Sequence, residues 1–235
     1  MKDGGTSQMI LDAGQKEIGP IVCPTCSMVY FKGDPVDEAQ HDKHHMRAVK
    51  EIKFPGWKVI RVVQEYPETL GSVVLILPSD LKCKGVSKKL DEVYQAMACD
   101  LGDLEITPFY AHHLKVFLYI ENKKVCGCCM TEPIEEGNRI LMTDNDSVDA
   151  SERRPWRCNE QSEPAAVGIS RLWIPVENRR KGIATKLVDC VRQWFNYGIL
   201  IPKTKVAFSD PTPDGFNFFQ KYMGSSTFLV YKYKA

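Results

Sequence analysis

Residues 166–184 leave the backbone few options. Residues 166–174 read Ala-Val-Gly-Ile-Ser-Arg-Leu-Trp-Ile, an apolar run of strand length that Pro175 ends. The polar turn Arg179-Arg-Lys-Gly-Ile-Ala184 follows, and then an amphipathic run over residues 182–196. A buried strand feeding a tight turn and a helix is the unit from which α/β domains are built. The turn has the form R-x-x-G-x-A. Gly182 has no side chain, so a ligand can approach the backbone closely, and Ala184 is small for the same reason. The amides of residues 180–185, Ile183 and Thr185 among them, are expected to be unpaired first-turn donors facing outward. Arg179, Arg180 and Lys181 add positive charge. Together these make an anion site at a helix N-terminus, suited to a pyrophosphate. No G-x-x-x-x-G-K-[ST] loop is present, so this is not a Walker A site.

The other end of the chain carries a metal pattern. Cys23-Pro-Thr-Cys26 is followed by His41-Asp-Lys-His-His45, giving C-x2-C-x14-H-x3-H. Two thiolates and two imidazoles at this spacing suit a tetrahedral structural Zn²⁺. His44 rivals His45 as fourth ligand, but His41 and His45 lie one helical turn apart on one face. Tyr30 is placed to be the aromatic core residue of the finger, with Val36 and Ala39 adding apolar contacts. A single finger rarely reads DNA, and Asp37, Glu38, Gln40 and Asp42 are too acidic for phosphate contacts. The finger therefore reads as a structural or protein-docking module, with no sequence-specific DNA binding.

The formal net charge of +1 gives no electrostatic drive towards nucleic acid or anionic membrane. The polar start has no signal peptide, and the longest apolar run, residues 73–77, is far too short to cross a bilayer. Two of the nine cysteines belong to the metal pattern, and the other seven lack disulfide-scaffold spacing, which suits a reducing interior. Cys126-Gly-Cys128-Cys129 is read as a buried strand, because neighbouring strand residues point to opposite faces and cannot converge on one ion.

Residues 57–66 and 73–78 read as strands joined by a turn at 67–71. Apolar residues at helical spacing predict a helix over 87–101, and 115–120 and 125–131 a hairpin over 121–124. A short strand is expected at 139–143, a long polar loop over 143–164 with Trp156 as an exposed aromatic, a strand at 204–209, a helix at 215–222 and a last strand at 227–233.

The R-x-x-G-x-A turn after a strand resembles the acetyl-CoA motif of the GNAT N-acetyltransferase superfamily. Three blocks narrow the resemblance: the N-terminal C2H2 pattern, the strand Gly168-Ile-Ser-Arg-Leu-Trp173, and Ala207-Phe-Ser-Asp-Pro-Thr-Pro-Asp-Gly215 with Phe228-Leu-Val-Tyr231. In this order they resemble the cohesin acetyltransferase family, the establishment-of-cohesion enzymes. The resemblance implies an α/β fold with a GNAT-type mixed central β-sheet and flanking helices, plus a small C2H2 zinc finger. It places a tail at 1–18, the finger at 19–50 and the acetyltransferase domain at 51–235. It further implies acetyl transfer from acetyl-CoA to lysines of a cohesin structural-maintenance-of-chromosomes subunit. The setting it implies is the nucleus, with chromatin and the replication clamp engaged through an N-terminal extension.

On that resemblance, the pyrophosphate falls to the 179–185 turn, and Leu172, Trp173 and Ile174 offer backbone groups to the pantetheine arm. Thr212, Pro213 and Asp214 are expected at the far end of the CoA. Lysine has a reference pKa of about 10.4, so a carboxylate must accept a proton near the amine. Asp210, at the end of the strand beside the cofactor strand, is the first candidate. Asp189 and Ser170 match family active-site positions, Asp189 as a departure from the usual Glu, and Tyr222 is a candidate for protonating the leaving thiolate. The competing readings are a non-catalytic zinc-finger adaptor that keeps an acyl-CoA-binding fold, and an acetyltransferase for another amine.

Overall fold

The computed structural model describes residues 19–26, 28–48, 51–57, 61–101, 114–141, 157–209 and 211–232. Two units divide the chain, Met1–Lys50 and Glu51–Ala235.

In the first unit, strands β1 (Pro20–Val22) and β2 (Val29–Phe31) pair antiparallel and helix α1 (Pro35–Ala48) follows. Asp34 caps α1, its carboxylate accepting from the Val36 amide at 2.8 Å. Asp37 and Glu38 accept from the Phe31 and Gly33 amides, both at 3.0 Å, so these acids brace the hairpin to the helix. Tyr30 stacks flat on His41, with ring centroids 4.0 Å apart. Val36 and Ala39, expected to complete this small core, are exposed instead. The histidines set the inward face of α1, and at 100° per residue positions 36 and 39 turn away from it.

The second unit is built on a sheet that, among the described residues, has nine strands in the order β3-β4-β5-β6-β9-β10-β11-β7-β8. The strands are β3 (Val62–Tyr66), β4 (Gly71–Ile76), β5 (Lys115–Glu121), β6 (Lys124–Glu132), β7 (Glu136–Leu141), β8 (Arg157–Pro164), β9 (Val167–Trp173), β10 (Val206–Ser209) and β11 (Leu229–Tyr231). Among the described residues only β9-β10 and β10-β11 pair parallel. Helix α2 (Lys84–Leu101) covers one face, burying Leu90, Val93 and Met97 against Val116, Leu118 and Met130. Helices α3 (Ile183–Trp194) and α4 (Pro213–Met223) cover the other, over Phe117, Ile169 and Phe208. Alternation sorts the two cores: Phe117 and Tyr119 face α3, while Val116, Leu118 and Ile120 face α2. No helix among the described residues is long and apolar enough to cross a membrane.

The polar stretch expected to be a loop over 143–164 is a strand from Arg157 onward. Strand β8 pairs antiparallel with β7, and Arg139 on β7 holds Glu163 on β8 through two hydrogen bonds. Its residues are exposed or half-buried, as on a sheet edge, so no apolar alternation marks it. Trp156 lies outside the described residues. Cys126 and Cys129 enter the α3-side core and Cys128 the α2-side core, so the three thiols do not converge. Burial pushes the Cys128 thiol up to about 12.

Candidate active site

Strand β9 carries the geometry of the site. It pairs with β6 through Trp173↔Cys128, Leu172↔Cys129 and Arg171↔Met130, then shifts register so that Ile169 faces Thr131 and Ser170 forms a bulge. On its other edge it pairs with β10 only through Val167↔Val206, Gly168↔Ala207 and Ile169↔Phe208. Beyond Ile169 and Phe208 no further pair joins the two parallel strands among the described residues, although β9 continues to Trp173 and β10 to Ser209. Parting strands leave main-chain groups of β9 available to a ligand. Ser209 bridges the fork, its hydroxyl donating to the Ser170 carbonyl at 2.9 Å.

The chain leaves β9 through Ile174 and Pro175, makes one 3-10 turn at Val176–Asn178, and enters α3 at Gly182. Arg180 and Gly182 are both left-handed, at φ 61° and 77°. Glycine takes that conformation without strain, and a Cβ on Gly182 meets no atom within 4 Å, so the backbone faces open space there. No side chain caps α3, so the amides of Ile183, Ala184 and Thr185 have neither an intrahelical acceptor nor a capping oxygen. Arg179 is pinned, its Nε donating to the Ile174 carbonyl at 3.1 Å and its guanidinium 3.8 Å from Asp214. Lys181 donates to Asn178 at 3.3 Å. The ion pair brings the start of α4 beside the start of α3. There Thr212 is the N-cap, accepting from the Gly215 amide at 3.2 Å, and Pro213 opens the helix.

Two features that support the turn are invisible to local sequence reading. Gly127 on β6 lets α3 and β9 close over the sheet, because a Cβ there would lie 2.7 Å from Ile174 Cδ1 and 3.1 Å from Leu187 Cδ1. Lys186, in the first turns of α3, lies 4.2 Å over the Tyr66 ring and 3.4 Å from both Glu68 Oε1 and the Tyr119 hydroxyl. That contact ties α3 to the β3-β4 turn. Its partners lie 67 or more positions away in sequence, so no motif announces it.

The remaining candidates separate. Leu172 and Ile174 pack towards α3, whereas Trp173 is buried on the α2 side, its indole N–H donating to Asp100 at 2.6 Å. Ser170 is buried and its hydroxyl donates to the Met130 carbonyl at 3.3 Å. Asp189 accepts from the Tyr222 hydroxyl at 2.6 Å and from Arg192 at 3.3 Å, tying α3 to α4. Burial and the Asp189 bond push the Tyr222 phenol well above its ordinary range. The phenol is buried and its proton is committed to the Asp189 carboxylate. Asp210 lies outside the described residues, between Ser209 and Pro211.

In the finger, the ligand atoms of Cys23, Cys26, His41 and His45 all lie within 4.8 Å of one another, and His44 is not in the group. His41 Nδ1 faces Asp42 at 3.8 Å, while His41 Nε2 is buried without a hydrogen-bond partner. Backbone hydrogen bonds at Cys26 and Thr25 hold the Cys23 thiol down to about 5. Two thiols, two imidazoles and an orphaned buried nitrogen within one cluster are what a tetrahedral Zn²⁺ satisfies. The four residues fit a structural zinc.

Comparison with known proteins finds matches at both ends of the chain. A family model described as ESCO1/2 acetyl-transferase matches residues 163–231, and one described as zinc-finger of acetyl-transferase ESCO matches residues 8–47. N-acetyltransferase ESCO2 of Mus musculus is 43% identical over 98% of this chain, and N-acetyltransferase ESCO1 of Homo sapiens 38% identical over 96%. The chain spans 38% and 27% of the length of those two relatives. The solved xEco2 acetyltransferase domain bound to a K105-CoA conjugate superposes with a TM-score of 0.66 at 36% identity, over 76% of this chain and 100% of that domain. With its GNAT-type sheet, its zinc finger and this match over a whole solved acetyltransferase domain, the chain belongs to the ESCO acetyltransferase family.

Proposed function

We propose that this chain transfers the acetyl group of acetyl-CoA to lysine side chains of a cohesin structural-maintenance-of-chromosomes subunit, on chromatin in the nucleus. The observation that carries the reading is the β9-β10 fork opening beside the uncapped α3 N-terminus. That the solved xEco2 acetyltransferase domain is bound to a K105-CoA conjugate supports a lysine acceptor.

Bound acetyl-CoA supplies an activated acetyl thioester. The amides of Ile183, Ala184 and Thr185, with the charges of Arg179, Arg180 and Lys181, hold its pyrophosphate. Main-chain groups of Leu172, Trp173 and Ile174 line the fork, where an amide stabilises a developing oxyanion. Thr212 and Pro213 shape the neighbouring start of α4, and Asp214 fixes Arg179 rather than meeting the anion itself. At neutral pH only about one free lysine in a few thousand is uncharged, so the acceptor must lose a proton before it attacks. Asp210, following the last residue of β10, takes that proton. Asp189 and Ser170 act by position: one holds α3 against α4, the other holds the β9 bulge to β6.

The test is mass spectrometry of recombinant cohesin heads after incubation with this chain and acetyl-CoA. The expected result is acetyl-lysine on the structural-maintenance-of-chromosomes subunit. Acetylation of free polyamines but not of the protein would move the activity to a small-molecule acceptor. Acetyl-CoA binding with no transfer at all would make the chain an adaptor.

A further inference from the structure

We infer that Tyr231, backed by the buried carboxylate of Glu132, receives the acceptor ammonium on the face of the sheet opposite α3 and α4. The inference rests on the lysine-acetyltransferase reading above.

The direction of approach comes first. Val167, Ile169, Val206 and Phe208 point into the α3-side core, with Ile169 2% and Phe208 0% exposed. An amine cannot reach the fork through them. Alternation turns Gly168, Ala207 and Ser209 to the opposite face, where all three side chains are small. Phe228 and Val230 also pack on the α3 side, which sends Tyr231 to that opposite face. Cys128 and Met130 belong to the α2-side core, and Glu132 follows them in the same alternation.

Those two outliers meet. The Tyr231 hydroxyl donates to Glu132 Oε1 at 2.7 Å, spanning from β11 across β10 and β9 to β6. The ring reaches there only because residue 168 is glycine. A Cβ on Gly168 would lie 2.5 Å from Tyr231 Cζ and 2.8 Å from its hydroxyl oxygen. Gly168↔Ala207 is the last strand pair but one before the fork, so the phenol stands one residue short of where β9 and β10 part. Ser209, opposite Tyr231 on β10, immediately precedes Asp210.

Glu132 is only 7% exposed, an expensive place for a carboxylate. Its bond takes the Tyr231 proton, so the phenol oxygen is polarised towards acceptor character. An oxygen of that kind suits the N–H groups of a primary ammonium. Tyr231 would touch the substrate, and Glu132 is a positioning residue acting through it. No covalent step is added; the pair orients the amine while Asp210 takes its proton.

Tyr231→Phe keeps the ring over Gly168 and removes the oxygen. With the whole chain, cohesin heads as acceptor and acetyl-CoA, kcat/KM for the acceptor is expected to fall about 10- to 150-fold, the range for a charge-assisted hydrogen bond. Acetyl-CoA affinity by calorimetry and the unfolding temperature are expected to stay near those of the wild type. Gly168→Ala retains both polar groups but drives the ring aside, and is expected to reproduce the acceptor defect. Acceptor kinetics of Tyr231→Phe equal to wild type would overturn the inference and leave the acetyltransferase reading standing. So would equal losses in acetyl-CoA and acceptor binding, which would mark a purely structural pair. A wild-type chain that binds acetyl-CoA but acetylates no lysine would overturn both.

Discussion

Replacing Gly182 separates backbone strain from loss of ligand. At φ 77° and ψ 4° the residue is left-handed, a conformation that costs an L-residue roughly 1–2 kcal/mol. A Cβ there meets no atom within 4 Å, so Gly182→Ala adds strain but no clash. For a unit of this size that strain lowers the unfolding temperature by roughly 2–8 °C. Acetyl-CoA affinity should fall further than strain explains, because the methyl group stands where the backbone must approach the pyrophosphate. Losing one charge-assisted amide bond weakens binding roughly 10- to 150-fold. Gly182→Asn supplies the control. Asparagine tolerates the left-handed region, so stability should recover while affinity does not. Gly182→Glu adds a negative charge to the anion site and should abolish binding. Differential scanning calorimetry reads the first quantity and isothermal titration with acetyl-CoA the second. Wild-type affinity in folded Gly182→Glu would place the pyrophosphate away from the α3 N-terminus and refute the assignment.

Three further outcomes are expected. Asp210→Asn keeps the shape and removes the charge, so turnover should fall roughly 10²–10⁴-fold with little change in acetyl-CoA affinity, and the loss should shrink at high pH where more amine is neutral; near-normal turnover at neutral pH would leave Asp210 a turn-shaping residue. Cys26→Ala, or chelation of the native protein, should release one zinc per chain and unfold the finger, since metal binding drives finger folding; metal analysis showing no zinc in reducing buffer would refute this. Hydrogen bonds from Arg139 hold the Glu163 carboxyl below its ordinary range, so its stabilisation is present above the unfolded pKa and lost as pH falls through the lower folded one. Denaturation of wild type against Glu163→Gln should therefore differ slightly at neutral pH and converge in strong acid, the pair being partly exposed; a difference that persists in strong acid would show that the charge is not its source.

Local chemistry was enough for much of this molecule. The strand, turn and helix over 166–196 read directly, because apolar periodicity and a glycine at a left-handed position are properties of adjacent residues. The Asn122 and Lys123 turn likewise sits where a polar interval between two apolar runs put it, both residues at positive φ. Spacing alone singled out the zinc ligands, since a tetrahedral ion tolerates few arrangements. The edge strand β8 was not legible. Arg157 to Pro164 carries no apolar alternation, and its pairing depends on β7 and on the Arg139–Glu163 contact. The contact between Asp189 and Tyr222 was equally hidden: in the sequence they read as two separate site candidates, and only packing α4 beside α3 joins them. Glu132 and Tyr231 stand 99 positions apart, and the glycine that lets them meet lies on a third strand. The elements other than β8, the metal ligands and the glycine turn before α3 were legible, because each rests on neighbours in the chain. Tertiary structure decided the strand order, the fork between β9 and β10 and the polar partnerships, because those depend on which distant residues the folded sheet brings within hydrogen-bonding distance.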